Sequence, residues 1–189
     1  MKKNLGAVGV VTPLPVLIIA TYDENGVADA MNVAWGGQCG PKHVALNLSP
    51  VHKTNDNLKL RKAFTVSFAT ADDVVESDYF GIVSAKKERD KIGKAQMHVR
   101  RAEHVDAPII EEYPLTLECK MVELATTFLG EERVVGEIVN VVADENILNA
   151  DGKIDLSKWK PIMFDSAQNY YRVVGDVVGN AFKDGSKLK

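Results

Sequence analysis

Cysteine is scarce in this chain, with two among 189 residues, and two thiols cannot build the disulfide framework of a small secreted scaffold. The pair, Cys39 and Cys119, forms no C-x-x-C, and the four histidines (His43, His52, His98, His104) show neither an HExxH nor a paired spacing. No metal centre is therefore expected. Long apolar runs are missing too. Ala7–Val11 is short and Pro13 and Pro15 interrupt its continuation. Nothing approaches the ~20 apolar residues that span a bilayer, and no signal-peptide pattern follows Met1-Lys2-Lys3. The expectation is a soluble, cytoplasmic protein with no membrane partner. Strong charge of one sign is absent as well. The net charge is −3, and the short basic runs Lys86-Lys87 and Arg100-Arg101 read as solvated surface. This argues against general nucleic-acid binding. There is no Gly-x-Gly-x-x-Gly after a strand, no P-loop and no Gly-x-Ser-x-Gly elbow, which argues against the common nucleotide folds and a serine nucleophile.

What is present is an ordinary globular composition, 46% hydrophobic and 26% charged. No internal repeat divides it, so one domain over residues 1–189 is the simplest organisation. Pro15–Thr21 is an almost continuous apolar run, the pattern of a strand buried on both faces. Asp23-Glu-Asn-Gly26 supplies turn chemistry, and Val27–Ala34 returns as a second strand. Gly36, Gly37 and Gly40-Pro41 mark a turn or bulge before the alternating strand His43–Leu48. Cys39 falls in that turn, where it could be exposed.

Thr54–Lys62 reads as a short helix with Thr54 as its N-cap. Phe64–Phe68 is a strand with Phe64, Val66 and Phe68 on one side, and Ala71–Val83 reads as helical. After residue 97 the chain is mostly extended. Leu115–Leu124 and Arg133–Ala143 are long β segments joined by a turn at Gly130, with shorter pieces at Ile162–Phe164 and Tyr170–Val174. In the first of these, alternation puts Cys119 on the buried face with Leu117 and Met121. Glu111-Glu112 and Glu131-Glu132 fall beside turns and read as solvated. Six or more strands with antiparallel hairpin signals and few helices point to a mainly β barrel rather than a doubly wound parallel sheet.

The chemistry concentrates between Asp29 and Thr70. At Lys53-Thr54 a loop enters a helix, where first-turn N–H groups lack intrahelical partners and suit an anion. Taken alone, these two residues make a plain helix start with a solvated lysine. Asn32 offers an amide to a heterocycle edge, and Trp35 offers a flat apolar face. Gly36-Gly37 permits close backbone approach. Together they describe a grip for a phosphorylated flat cofactor, read here as FMN.

Several segments, in order, resemble the flavoredoxin and flavin-reductase-like family: Pro15-Val-Leu-Ile-Ile-Ala-Thr-Tyr-Asp23, Asn32-Val-Ala-Trp35, Ser49-Pro50, Lys53-Thr-Asn-Asp-Asn57, Phe64-Thr-Val-Ser67 and Asp90-Lys91. Ala107-Pro-Ile-Ile-Glu111, Leu117-Glu-Cys119, Val135-Gly-Glu-Ile-Val139 and Tyr171-Arg-Val-Val-Gly175 extend the likeness over nearly the whole chain. The resemblance implies an FMN-binding split β-barrel of antiparallel strands in a Greek-key arrangement, usually a homodimer, that moves electrons from NAD(P)H or a redox protein partner to an acceptor. It implies that Asn32, Val33, Ala34 and Trp35 line the flavin ring, and that Ser49, Lys53, Thr54 and Asn57 hold the ribityl phosphate region. Ser67, Phe68 and Ala69 would flank the ring, Lys91 would contribute charge, and Tyr171 would close the pocket. At one position the chain departs from the family: Ile92 follows Asp90-Lys91 where an aromatic is usual.

Overall fold

The computed structural model describes all 189 residues. A seven-stranded antiparallel sheet dominates it, built from β2 (Leu17–Tyr22), β3 (Ala28–Val33), β4 (Gly36–Gly40), β5 (His43–Leu48), β6 (Ala63–Phe68), β9 (Leu115–Thr126) and β10 (Glu132–Ala143). Their spatial order is β3-β2-β6-β9-β10-β5-β4. The two edges of this sheet, β3 and β4, are consecutive in sequence, with only Ala34 and Trp35 between them. So short a link can join opposite edges only if the sheet curls until they meet, and the result is a barrel.

Alternation along β2 shows how the chain fills both sides of this wall. Leu17 and Ile19 point into the barrel, where they pack with Val33, Leu46, Phe64, Val66, Cys119 and Val134. Val16, Ile18 and Ala20 point outward into a second core with Phe80, Ile92, Ile110 and Ile162. The unbroken apolar run is therefore that of a strand covered on both faces, as expected. The outer cover consists of helix α2 (Val74–Ile82), helix α3 (Lys91–Lys94), the hairpin of β7 (Val99–Arg101) and β8 (Pro108–Ile110), and a small sheet of β1 (Leu14–Pro15), β11 (Ile162–Asp165) and β12 (Tyr170–Val173). Helix α1 (Lys53–Arg61) buries Leu58 in the barrel and ends at Lys62 in the left-handed region. No helix is long and apolar enough to cross a membrane.

Three local expectations change. The Gly36–Gly40 stretch forms an edge strand, paired with β5 and carrying a register shift between Gln38 and Gly40, rather than a turn. Gly36 is needed for packing, since a Cβ there would come 2.8 Å from Leu46 Cδ2 and 3.1 Å from the Ala45 carbonyl oxygen. Helix α1 starts one residue early, with His52 as its N-cap, so Thr54 lies inside the first turn. Glu132 is buried and paired with Lys59 at 2.6 Å rather than solvated.

Cys119 is fully buried among Leu117, Met121 and the barrel core, and burial pushes its thiol up to about 12. Cys39 lies exposed on β4. At Gly136, beside a bulge of the β9–β10 ladder, a Cβ would overlap the Phe64 ring, which is itself fully buried. Gly136→Ala is accordingly expected to destabilise the fold by about 1–3 kcal/mol through overpacking. Gly37→Ala, on the open side of β4 with nothing within 4 Å, should stay within roughly 0.5 kcal/mol. Urea denaturation of the two variants checks the contrast.

Candidate functional site

The barrel seam is also where a large cavity opens. Met31, Asn32 and Val33 at the end of β3, the crossing pair Ala34-Trp35, and Asn47, Leu48 and Ser49 at the end of β5 form one side of it. Gly81 of α2, Phe164 of β11, Tyr171 of β12 and the β9–β10 hairpin tip (Thr127, Phe128, Leu129, Glu131) form the rest. Its volume is about 750 Å³. The Asn47 N–H donates to the Trp35 carbonyl at 2.8 Å, which continues the β4–β5 ladder by one residue and fixes Trp35 beside the end of β5. Trp35 is 67% exposed, its ring left bare at the mouth. A bare indole beside an apolar cleft is an available flat surface.

A second cavity, of about 270 Å³, adjoins the first and shares Met31, Asn32, His52 and Gly81 with it. It ends at the start of α1, with Lys53 and Thr54, and on its far side at Asp29 and Lys91. No backbone carbonyl accepts from the N–H of Lys53 or Thr54, so two first-turn amides remain available there. The Lys53 ammonium bonds the exposed Glu24 at 2.7 Å.

Lys91 is the most unusual group of the site. Its side chain is 2% exposed, and its ammonium donates to the Val83 carbonyl at 2.8 Å and the Phe80 carbonyl at 3.3 Å, at the C-terminal end of α2. A cation at that end opposes the negative pole of the helix. Asp29 lies 3.5 Å away and is buried to a similar degree. Its Oδ2 accepts the Thr54 hydroxyl at 2.9 Å, while its Oδ1 has no hydrogen-bond partner. Burial raises the Asp29 carboxyl above its ordinary range, against the pull of Lys91 and Thr54; burial likewise lowers the Lys91 ammonium, against the pull of Asp29.

Of the residues expected from sequence, the structure gathers Asn32, Val33, Ala34, Trp35, Ser49 and Tyr171 around the larger cavity and Lys53, Thr54 and Lys91 around the smaller. Asn32 borders both, with its amide anchored on the Ser77 carbonyl at 2.9 Å. The Tyr171 hydroxyl donates to Asp78 at 2.7 Å, and burial together with that carboxylate holds it up to about 12.

The structure leaves the other four away from both cavities. Asn57 is on the inner face of α1, its amide bonded to Thr21 at 3.0 Å. Ser67 is buried against Thr116 at 2.8 Å, Phe68 packs edge-on to Trp159, and Ala69 belongs to the outer core. All four sit on sides of their elements that face neighbouring strands or helices within the chain. Sequence reasoning missed His52, Gly81, Phe164 and the hairpin tip. The signal for His52 was its place directly before Lys53-Thr54; the hairpin tip lies far away in sequence and carried none. Glu131, half-buried beside the hairpin turn, borders the larger cavity.

The site can hold an anion at one end and a flat, largely apolar body at the other. Two buried polar atoms that border it have no partner, His52 Nδ1 and Thr127 Oγ1.

The profile of the flavin reductase like domain family matches residues 10–169. The flavoredoxin of Desulfovibrio vulgaris (Miyazaki F) is 34% identical, with a TM-score of 0.92 over 98% of this chain and 100% of that one. Flavoredoxin from Methanosarcina acetivorans is 28% identical, with a TM-score of 0.89 over 100% of both chains. Nitrilotriacetate monooxygenase component B from Bacillus cereus, at 17% identity and a TM-score of 0.78 over 91% of this chain and 90% of its own, shares the fold. No curated protein matches.

The buried pair generates a stability prediction. Lys91→Met leaves the Asp29 carboxylate buried without its cation and should cost about 3–5 kcal/mol. Adding Asp29→Asn to that background removes the stranded charge, so the double variant should be more stable than Lys91→Met alone. Chemical denaturation of the full cycle measures the coupling.

Proposed function

The chain belongs to the flavin reductase like domain family, and on that premise we propose that it binds FMN across the two joined cavities and works as an oxidoreductase. The observation that carries this reading is the continuity of an apolar cleft with an amide-and-lysine pocket through Met31, Asn32, His52 and Gly81. A phosphorylated ring compound has this same division of character. The residues present fit such a ligand: two free first-turn amides and two lysines at one end, unpartnered buried polar atoms between, and an uncovered indole at the other.

In this reading Lys53, Lys91 and the amides of Lys53 and Thr54 hold the phosphate. The Thr54 hydroxyl acts through Asp29, which already accepts its proton. Asn32, Val33, Ala34 and Trp35 line the ring, Ser49 lies beside them, and Tyr171 closes the cleft from β12. FMN, when bound, supplies the electron-transfer chemistry. The chain's own residues need only position it and exclude water, and no nucleophile or proton relay is required of them. NAD(P)H is the proposed source of reducing equivalents. A second reading, reduction by a protein partner, is favoured by the exposed apolar rim of Trp35, Phe128 (97% exposed) and Leu129 around the mouth and by the flavoredoxin name of the two similar proteins. A homodimer belongs to the same proposal, supported by exposed apolar side chains in both terminal segments, among them Val10, Val11 and Phe182.

The test begins with the visible spectrum and an FMN titration of the purified protein. Lys53→Ala removes one charge-assisted contact, worth about 1.5–3 kcal/mol, so FMN affinity should fall by roughly ten- to hundredfold. Unchanged affinity would overturn the placement of the phosphate. Anaerobic stopped-flow mixing with NADH and NADPH then separates the two readings, since fast bleaching by a nicotinamide is expected only of the first.

A further inference from the structure

His52 is the one ionisable side chain, besides the lysines and Asp29, that borders the smaller cavity, and it borders the larger one as well. It stands as the N-cap of α1 yet makes no side-chain capping bond, so starting the helix does not explain the imidazole. Its Nδ1 is buried without a hydrogen-bond partner. A buried ring nitrogen left unpaired is unfavourable, and a hydrogen bond to a ligand at the junction of the cavities would remove that cost. Asp29, its carboxylate 4% exposed at the same cavity, is by contrast engaged, with Oδ1 3.5 Å from the Lys91 ammonium and Oδ2 on the Thr54 hydroxyl.

Resting on the FMN assignment above, we propose that His52 is a proton-coupled ligand contact: the imidazole gains a proton when a phosphorylated ligand enters, and donates a hydrogen bond to it. In the free protein, burial lowers the His52 pKa below the usual histidine value. The charged groups acting on the ring are Glu131 from the β9–β10 hairpin and Asp29 from β3, which favour its charged form, and Lys86 and Lys91, which oppose it. Lys53, on the same cavity, is a further cation. The ring is thus neutral at pH 7 in the free protein. A phosphate dianion among these lysines offsets their repulsion and gives the ring an acceptor, so the bound-state pKa rises above the free one. Thermodynamic linkage then fixes the sign: affinity increases as pH falls through the bound-state pKa and levels off below the free-state pKa, with a limiting slope of about tenfold per pH unit for one proton.

The test compares FMN affinity from pH 5.5 to 8.5, by quenching of flavin fluorescence, in the wild-type protein and in His52→Gln, which keeps a polar side chain that cannot titrate. The second ionisation of the phosphate, near pH 6 for such esters, and the titration of Asp29 act in both proteins, so the difference between their profiles isolates the ring. NMR titration of the His52 ring in the wild-type protein, with and without FMN, provides a readout that needs no variant. The expected result is a steeper pH dependence in the wild type and an upward shift of the ring titration on binding. Superimposable profiles, or a ring that titrates identically with and without FMN, would overturn the proposal while leaving the flavin assignment intact. If the wild-type protein binds no FMN at any pH, both fall together.

Discussion

Closure of the sheet by a two-residue link between its opposite edges is the constraint on which the rest depends. Because Ala34 and Trp35 carry the chain from β3 to β4, the barrel cannot open without pulling apart the ladder on one side or the other. The same constraint puts Asn32, Val33, Ala34 and Trp35 at the place where the barrel wall is least continuous. A cleft forms there because the seam has side chains but few ladder hydrogen bonds to fill it. The residues that line the cleft are thus drawn from the ends of strands on a rigid frame, where positional precision is highest.

The charged end of the cleft follows a different logic. Asp29 and Lys91 come from β3 and from the short helix α3, and each is buried to a degree that neither would tolerate alone. Lys91 is fastened by two carbonyls of α2 as well as by Asp29, and Asp29 is fastened by Thr54 of α1. One network therefore joins α1, α2, α3 and β3 around the smaller cavity. Charge is retained in the interior, beside a space suited to an anion, where a purely apolar core would have packed more easily.

Much of this was legible in the sequence. The alternation in His43–Leu48 and Phe64–Phe68, the double-sided run of β2, and the glycine turns at Gly26 and Gly130 all rest on local rules of pleat and dihedral angle. The structure bears them out, with those glycines at positive φ. The burial of Cys119 was legible for the same reason. What escaped was set by contacts distant in sequence. Gly36–Gly40 looks like punctuation because its strand pairing is decided by β5, and the lack of a side chain at Gly36 by Leu46 and the Ala45 backbone. Asn57, Ser67 and Ala69 lie near the site in sequence, but their partners Thr21, Thr116 and the outer core turn them inward. The hairpin tip at Thr127–Glu131 reaches the cleft only because β9 and β10 are long, which no local pattern around those residues announces.

The unequal environments of the two thiols make a practical tool of the seam. Cys39 projects from the edge strand that begins immediately after Trp35, whereas Cys119 is sealed in the barrel with its proton held tightly. A maleimide dye added to the native protein would therefore attach at one location, a few residues along the chain from the rim of the cleft. The native chain thus carries its own single-site reporter for watching a ligand arrive or a partner dock, with no engineered residue to disturb the wall.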